Sequence, residues 1–227
     1  MLLHVPNVLN PDELKSLRQL MAQAEWTDGK VTAGTQSAQV KRNIQLPEAT
    51  KDAEAARLIV LKALNRNALF FSAALPKKIY PPLFNQYREG MDFGAHVDNA
   101  VRTHAISGVN VRTDISCTLF IAAPDEYEGG ELVVEDTYGH QMVKLPAGDM
   151  VLYPGTSLHH VRPVSKGARL ASFFWIQSMV REDNQRTLLF DMDAAIVTLR
   201  QQVGDNHPAV VRLTGNYHNL IRMWADT

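Results

Sequence analysis

The pattern of apolar residues changes near Lys78, and this change constrains the fold more than any other feature of the sequence. As far as Gln177, short apolar or alternating runs lie between turn residues, at 79–88, 93–98, 115–122, 131–135, 141–145, 149–153, 158–164 and 168–177. No helical period separates these runs, which disfavours βαβ units and favours a closed or sandwiched antiparallel sheet. The sequence therefore predicts a jelly roll or barrel in the middle of the chain.

Helical patterns flank this β region on both sides. Asn10 is typical of a helix N-cap, and apolar residues at helical spacing continue from there to about Trp26. A second helix is predicted over about 50–66. After the β region the helical period returns, first in a stripe that ends at Gly204 and then in a last stretch from Pro208.

These changes of period divide the chain into three predicted regions. They are a mainly helical N-terminal region over 1–77, a β domain over 78–178 and a helical C-terminal region over 179–227. Neither an internal repeat nor a low-complexity linker separates them. The flanking helices are therefore expected to pack on the sheet.

Charge and cysteine content exclude several classes of protein. The 227 residues include 23 Lys and Arg against 24 Asp and Glu, with no Lys/Arg run longer than two, so neither a nucleic acid nor an anionic membrane is the expected partner. The single cysteine, Cys117, excludes an intrachain disulfide and a Cys-rich zinc site. The start of the chain lacks the pattern of a signal peptide, and no apolar run is long enough to span a membrane. We expect a cytoplasmic protein.

The segment His96-Val97-Asp98 and the distant His159 carry the chemistry. Residues two apart in a strand point to the same face, so His96 and Asp98 are expected to lie side by side. A third ligand from a neighbouring strand would complete two imidazoles and one carboxylate on one face of an ion. Non-haem Fe(II) oxygenases use this arrangement. His160 is expected to face away from the site, because adjacent strand residues face opposite sides.

Arg169 lies ten residues after His159, in a run that otherwise resembles a buried strand. It shares parity with Phe173 and Trp175, both of which we assign to the core. A buried cation must be paired, since an uncompensated buried charge is too costly. The partner is either a local carboxylate or the carboxylate of a substrate or cosubstrate.

Five ordered motifs resemble the Fe(II)/2-oxoglutarate dioxygenases, and within them the PKHD-type (prolyl/lysyl hydroxylase-like) hydroxylases of bacteria. The motifs are 85–90 (NQYREG), 96–98 (HVD), 128–132 (EGGEL), 158–164 (LHHVRPV) and 167–169 (GAR). The flanking helices, including 217–220 (YHNL), are similar to the same subgroup. The resemblance thus extends over nearly the whole chain.

The resemblance implies a double-stranded β-helix, a jelly-roll core like that of the cupins, with Fe(II) bound by His96, Asp98 and His159. It implies that 2-oxoglutarate chelates the iron, that its far carboxylate meets Arg169, and that Tyr87 is the candidate for an assisting hydroxyl. The implied reaction is hydroxylation of an unactivated C–H bond by O2, with release of succinate and CO2. L-ascorbate enters as an implied accessory reductant.

Two other functions fit the same residues. A cupin-like metal isomerase or hydrolase would keep the three ligands without 2-oxoglutarate, and a non-catalytic sensor would bind iron or 2-oxoglutarate without turnover. The primary substrate stays open between a peptidyl prolyl or lysyl residue, an amino acid and a small iron-chelating molecule. The loop 99–114 does not decide between these substrates, and neither does His104, which is a weak candidate for a substrate contact. The sequence does not determine the oligomeric state.

Overall fold

The computed structural model describes residues 1–32, 36–136 and 139–227. Its strands are β1 (Leu3–Val5), β2 (Thr27–Asp28), β3 (Lys41–Arg42), β4 (Ile44–Gln45), β5 (Pro76–Ile79), β6 (Leu83–Arg88), β7 (Asp92–His96), β8 (Val101–Thr103), β9 (Asn110–Arg112), β10 (Ile115–Phe120), β11 (Tyr127–Gly129), β12 (Leu132–Asp136), β13 (Gly139–Val143), β14 (Met150–Pro154), β15 (His159–Val161) and β16 (Val164–Ser178). Its α-helices are α1 (Pro11–Gln23), α2 (Ser37–Val40), α3 (Lys51–Asn65), α4 (Ala68–Ala74), α5 (Asp183–Val203) and α6 (Pro208–Trp224).

The strands form a major sheet, a minor sheet and a separate hairpin. The major sheet has the order β1-β14-β10-β16-β6-β4-β2, and β5 and β11 also pair with β16. The minor sheet has the order β13-β12-β15-β7-β3, and β8 pairs with β9 in the hairpin. Every pairing among the described residues is antiparallel. The predicted double-stranded β-helix is confirmed.

Side-chain alternation along the major sheet separates a helix-facing layer from the interior. Cys117 and Leu119 of β10 belong to one buried cluster with Leu17 of α1 and Val60 of α3. Phe120, the next residue of β10, belongs to a second cluster with residues of the minor sheet. The N-terminal helices therefore cover one face of the major sheet, while its other face and the minor sheet enclose the interior that contains the site.

Interactions between residues close in sequence explain where the predicted N-terminal helices form. The Asn10 side chain accepts a hydrogen bond from the Glu13 backbone N–H at 2.9 Å, and the Glu13 carboxylate accepts one from the Asn10 backbone at 3.0 Å. This reciprocal cap begins α1 as predicted. The helix ends at Gln23 rather than Trp26. The second predicted helix, over 50–66, is confirmed as α3.

Several predicted strands differ from the observed ones; the run 158–164, for example, is divided between β15 and β16. The run 79–88 is divided between β5 and β6, because Pro81 and Pro82 have no N–H to donate to a ladder. The run 93–98 ends early at His96, so Asp98 follows β7 instead of lying within it. Asp98 therefore does not share a strand with His96, and the prediction that both residues lie in one strand was wrong.

The C-terminal helices pack on each other and on the chain leaving the sheet. Leu189 of α5 and Val180 are buried with Tyr217 and Trp224 of α6 against them. Gly204 ends α5 with φ 85°, a conformation that glycine adopts without a steric cost. In the part of the chain that the structure describes, no helix combines the length and apolar character needed to cross a membrane.

Candidate active site

His96, Asp98 and His159 come together between the two sheets. The Cα atoms of His159 on β15 and His96 on β7 are partners in register, which brings the two imidazoles alongside each other. The Asp98 carboxylate lies 4.0 Å from Nε2 of His96 and 3.8 Å from Nε2 of His159. One ligand atom from each residue lies within 4.8 Å of the others. The three side chains could therefore hold one metal ion.

Backbone carbonyls orient both imidazoles. Nδ1 of His96 donates to the Gly94 carbonyl at 2.9 Å, and Nδ1 of His159 donates to the Ser157 carbonyl at 3.0 Å. These bonds leave the lone pair of each Nε2 directed to the cluster. Burial, together with the nearby His159, lowers the pKa of His96 to about 4. His96 is therefore neutral near pH 7, the state in which an imidazole binds a metal.

Ser116 holds the third member of the cluster. Its hydroxyl donates to Oδ2 of Asp98 at 2.6 Å, and the Ser116 side chain is only 2% exposed. Such a bond fixes the direction of a carboxylate that lies outside a regular strand. No local sequence pattern predicts this contact, because residues 98 and 116 meet only once the sheet has formed.

Replacing Ser116 by alanine is expected to weaken metal binding at the cluster by about tenfold, the usual effect of losing a group that orients a ligand. Anaerobic titration with a divalent metal ion measures this affinity. Ser172→Ala is the matched control, since Ser172 is also fully buried on the major sheet and its hydroxyl has no described hydrogen-bond partner. Equal affinity in Ser116→Ala and the wild type would contradict the orienting role.

Arg169 lies on β16, as predicted, and is 2% exposed. Its Cα is the register partner of Tyr87 on β6, and its guanidinium carbon lies 5.4 Å from the Tyr87 ring and 5.3 Å from the Phe120 ring. Among the described residues, no carboxylate lies within 4.0 Å of the guanidinium, and Nε has no hydrogen-bond partner. A local carboxylate is thus not the compensating charge, and an anionic ligand is the remaining kind of partner.

Two phenols lie near Arg169. Burial raises the pKa of Tyr87 to about 12, against the opposing effect of the Arg169 charge, so its hydroxyl remains a donor at neutral pH. Burial also raises the pKa of Tyr127, and Arg169 again opposes the shift. The sequence singled out Tyr87 alone; Tyr127 lies on β11, which pairs with β16 through contacts between residues about forty positions apart.

One open pocket of about 730 Å³, including the space at its entrance, is lined by all five predicted site residues. Phe173 and Trp175 also line it, although both pack in a buried hydrophobic cluster with Tyr80 and Val111, as expected of core residues. They share the face of β16 that carries Arg169, and this face contributes to the pocket rather than to the cluster under the helices.

Two histidines considered in the sequence lie outside the ligand cluster. His160 follows His159 on β15 and has its register partner at Val133, and it contributes no atom to the cluster. Nδ1 of His104 pairs with the Ser107 hydroxyl at 2.8 Å, in the turn between β8 and β9. His104 is not among the described residues that line the pocket.

Two lining residues, Lys41 and Arg102, had not been considered in the sequence. Lys41 lies on the two-residue strand β3 and Arg102 on the three-residue strand β8. Strands this short have no hydrophobic period, so their place beside the site depends on tertiary pairing alone.

Comparison with known proteins gives the class and then the family. Residues 82–177 match the 2OG-Fe(II) oxygenase superfamily, and residues 183–226 match the PKHD-type hydroxylase C-terminal domain. A PKHD-type hydroxylase of Saccharophagus degradans is 61% identical over 227 residues, and PKHD-type hydroxylase GOX0559 of Gluconobacter oxydans is 57% identical over 226 residues. Both alignments cover 100% of this chain and of the relative.

Solved structures agree at the level of the fold. A Pseudomonas putida prolyl-4-hydroxylase aligns with a TM-score of 0.50 at 19% identity, covering 78% of this chain and 92% of that one. HygX from Streptomyces hygroscopicus, solved with nickel and 2-oxoglutarate, aligns with a TM-score of 0.54 at 13% identity, covering 78% of this chain and 82% of that one.

The fold and the matched domain define a 2-oxoglutarate- and Fe(II)-dependent oxygenase. Within that superfamily, the full-length identity to the two curated relatives shows that the chain belongs to the PKHD-type hydroxylases. Its cosubstrates are 2-oxoglutarate and O2, its metal is Fe(II) and its reaction is a hydroxylation. Neither the cupin-like isomerase or hydrolase nor the sensor is favoured.

Proposed function

We propose that His96, Asp98 and His159 hold Fe(II), and that Arg169 binds the far carboxylate of 2-oxoglutarate, in a hydroxylase acting on an unactivated C–H bond. One observation carries this assignment. Three ligand atoms within 4.8 Å of one another share a pocket with a buried guanidinium that has no described carboxylate partner. The donor set fits Fe(II), and the unpaired cation fits a dicarboxylate cosubstrate.

The protein's residues bind and orient the metal ion and the cosubstrate. Two imidazoles and one carboxylate on one face of an ion would leave positions for a bidentate keto acid and for O2. Bound Fe(II) and 2-oxoglutarate supply O2 activation, with loss of CO2 and formation of succinate. Backbone carbonyls aim the two imidazoles and Ser116 aims the Asp98 carboxylate.

Tyr87 is proposed to assist Arg169. Its hydroxyl keeps its proton, because its pKa is about 12, and can donate to a carboxylate oxygen that the guanidinium also contacts. Tyr127 is the alternative donor, since it lies close enough to Arg169 for the cation to affect its pKa. Separate Phe substitutions, each followed by a 2-oxoglutarate titration, would distinguish the two.

We further propose L-ascorbate as an accessory reductant that returns oxidised iron to Fe(II), and the cytoplasm as the place of action. The regions 1–77, 78–178 and 179–227 are proposed as an N-terminal region, the catalytic domain and a C-terminal region. The primary substrate is proposed to be a prolyl or lysyl side chain of a peptide, an amino acid or a small iron-chelating molecule.

Succinate formation from 2-oxoglutarate tests the reaction class. We expect turnover with Fe(II) and ascorbate and none with Zn(II) alone, which binds nitrogen and oxygen ligands at least as well but has no redox chemistry. Adding excess Fe(II) to the Zn(II)-loaded protein should restore turnover as the metal exchanges. Mass spectrometry identifies a hydroxylated product by a gain of one oxygen atom. Full activity with Zn(II) alone would instead indicate an isomerase or hydrolase.

A further inference from the structure

One polar side chain of the pocket has no role in the assignment above. Asn85 lies on β6 two residues before Tyr87, is 6% exposed, and lines the same pocket as Arg169 and the three proposed iron ligands. Its Oδ1 atom is fully buried without a hydrogen-bond partner, and within the described part of the chain its Nδ2 atom makes no hydrogen bond either. The protein itself therefore uses neither end of this amide.

A buried amide without partners opposes folding, because its hydrogen bonds to water are lost and not replaced. A leucine has nearly the same shape and would fill this position without that loss. A ligand in the pocket can supply the missing bonds to Asn85. The place of the amide in the sheet indicates which ligand this is.

Sheet register brings the amide close to the guanidinium of Arg169. The Cα of Arg169 is the partner of Tyr87, and the Cα of Asn85 is the partner of Ala171. Asn85 and Arg169 are therefore diagonal neighbours on one face of the major sheet. Such neighbours lie about 7–8 Å apart, within reach of a long side chain. One small ligand group between them can contact both.

The ring contacts of the guanidinium support this placement. Its carbon lies 5.4 Å from the Tyr87 ring and 5.3 Å from the Phe120 ring. Phe120 on β10 is the partner of Ala171 on one side, as Asn85 on β6 is on the other. Asn85, Ala171 and Phe120 thus form one row across the sheet, and the guanidinium lies next to a ring of that row.

We propose that the Asn85 amide is a further binding group for 2-oxoglutarate, donating from Nδ2 to the far carboxylate that Arg169 binds. This inference rests on the proposed function and adds a residue to its cosubstrate site. A carboxylate presents only acceptors, so it selects the donor end of the amide. The described residues form no hydrogen bond that would prevent Nδ2 from turning to the ligand.

Two keto acids of the same chain length test the contact: 2-oxoglutarate and 2-oxovalerate. Both chelate the metal through the same groups, but 2-oxovalerate has a methyl group in place of the far carboxylate. Absorption titration of the anaerobic Fe(II) protein gives both dissociation constants. Asn85→Leu should raise the constant of 2-oxoglutarate by between about tenfold and a hundredfold, as for losing one hydrogen bond to a charged group. The constant of 2-oxovalerate should stay unchanged.

Gln86→Leu is the matched control, because Gln86 also carries an amide, follows Asn85 on β6 and lies outside the described pocket lining. Its affinities for both keto acids should equal those of the wild type. Asn85→Asp keeps the shape of the side chain and should weaken 2-oxoglutarate binding more than Asn85→Leu does, since an anion beside Arg169 repels the far carboxylate. This variant keeps the test available if Asn85→Leu is unstable.

Thermal melting separates a binding role of Asn85 from a structural one. Asn85→Leu removes a buried amide without partners, so it should not lower the melting temperature of the ligand-free protein. A structural asparagine would give a less stable ligand-free protein whose 2-oxoglutarate affinity is unchanged.

The inference is wrong if Asn85→Leu binds 2-oxoglutarate as tightly as the wild type does, the result expected when Asn85 bonds only to a buried water molecule. It is also wrong if 2-oxovalerate loses affinity by the same factor, because the loss then does not depend on the far carboxylate. An absent absorption change when 2-oxoglutarate is added to the wild-type Fe(II) protein would overturn the proposed function as well. Normal wild-type binding with an unaffected Asn85→Leu overturns the Asn85 contact alone.

Discussion

His159→Ala is expected to abolish turnover and to weaken Fe(II) binding by more than about a hundredfold. Losing a residue that only supports a metal ligand weakens binding by up to about a hundredfold, so losing the ligand itself should cost more. The reason is geometric. His159 contributes one of three ligand atoms that lie within 4.8 Å of one another, and the described residues nearby offer no replacement. Metal content after anaerobic loading, and succinate formation, measure the two effects.

His160→Ala is the control for that substitution. The two histidines are adjacent on β15, but His159 is 4% exposed within the interior, whereas His160 is only partly buried and lies outside the ligand cluster. His160→Ala should therefore keep its iron and its turnover. The opposite pattern, with iron lost from His160→Ala and kept in His159→Ala, would show that the ligand has been misassigned.

Local sequence patterns predicted those parts of the molecule whose causes are local. The N-cap at Asn10, the helix after Thr50 and the end of α5 at Gly204 each depend on a few consecutive residues, and each was found close to its expected position. The alternation along 168–177 is also local, and it placed Arg169 on the same face as Phe173 and Trp175. Phe173 and Trp175 belong to a buried cluster as expected, and they line the pocket as well, because burial of a residue does not distinguish a packed interior from a pocket wall.

Pairing between residues distant in sequence explains the parts of the site that local sequence patterns did not predict. The two-residue strand β3 places Lys41 in the site through its pairing with β7, and Ser116 reaches Asp98 across eighteen positions of sequence. Arg102 lies in the hairpin of β8 and β9, in a segment whose sequence shows no periodic pattern of apolar residues. Asp98 lies beside the two histidines as predicted, but it is not part of a strand. It follows the end of β7, and a hydrogen bond from Ser116 holds its carboxylate.

Arg169→Ala is expected to raise the dissociation constant of 2-oxoglutarate strongly while leaving Fe(II) binding almost intact. The guanidinium fork can meet a carboxylate through two parallel charge-assisted bonds. Losing one partner of such a buried pair typically costs on the order of 2–5 kcal/mol, or tens- to thousands-fold in affinity. Titration of the Fe(II) charge-transfer absorption under anaerobic conditions measures the constant, and an unchanged value would exclude the cosubstrate role.

Arg169→Lys should fall between the wild type and Arg169→Ala, because lysine keeps the charge and loses the planar fork. Arg162→Gln is the control for removing a guanidinium, since Arg162 is about half exposed and pairs with Glu131 outside the described pocket lining. Its 2-oxoglutarate affinity should equal that of the wild type. A similar loss in Arg162→Gln would mean that the effect is a general change of charge and does not come from a contact.

Stability without ligand separates this role of Arg169 from a structural one. A buried cation without a described carboxylate partner opposes folding, so Arg169→Ala should not lower the melting temperature of the ligand-free protein. 2-Oxoglutarate raises the melting temperature of the wild type by an amount that depends on the ratio of the 2-oxoglutarate concentration to the dissociation constant. This rise should be largely lost in Arg169→Ala, because the variant binds 2-oxoglutarate weakly. A purely structural arginine would give the reverse, with a less stable ligand-free protein and an unchanged response to 2-oxoglutarate.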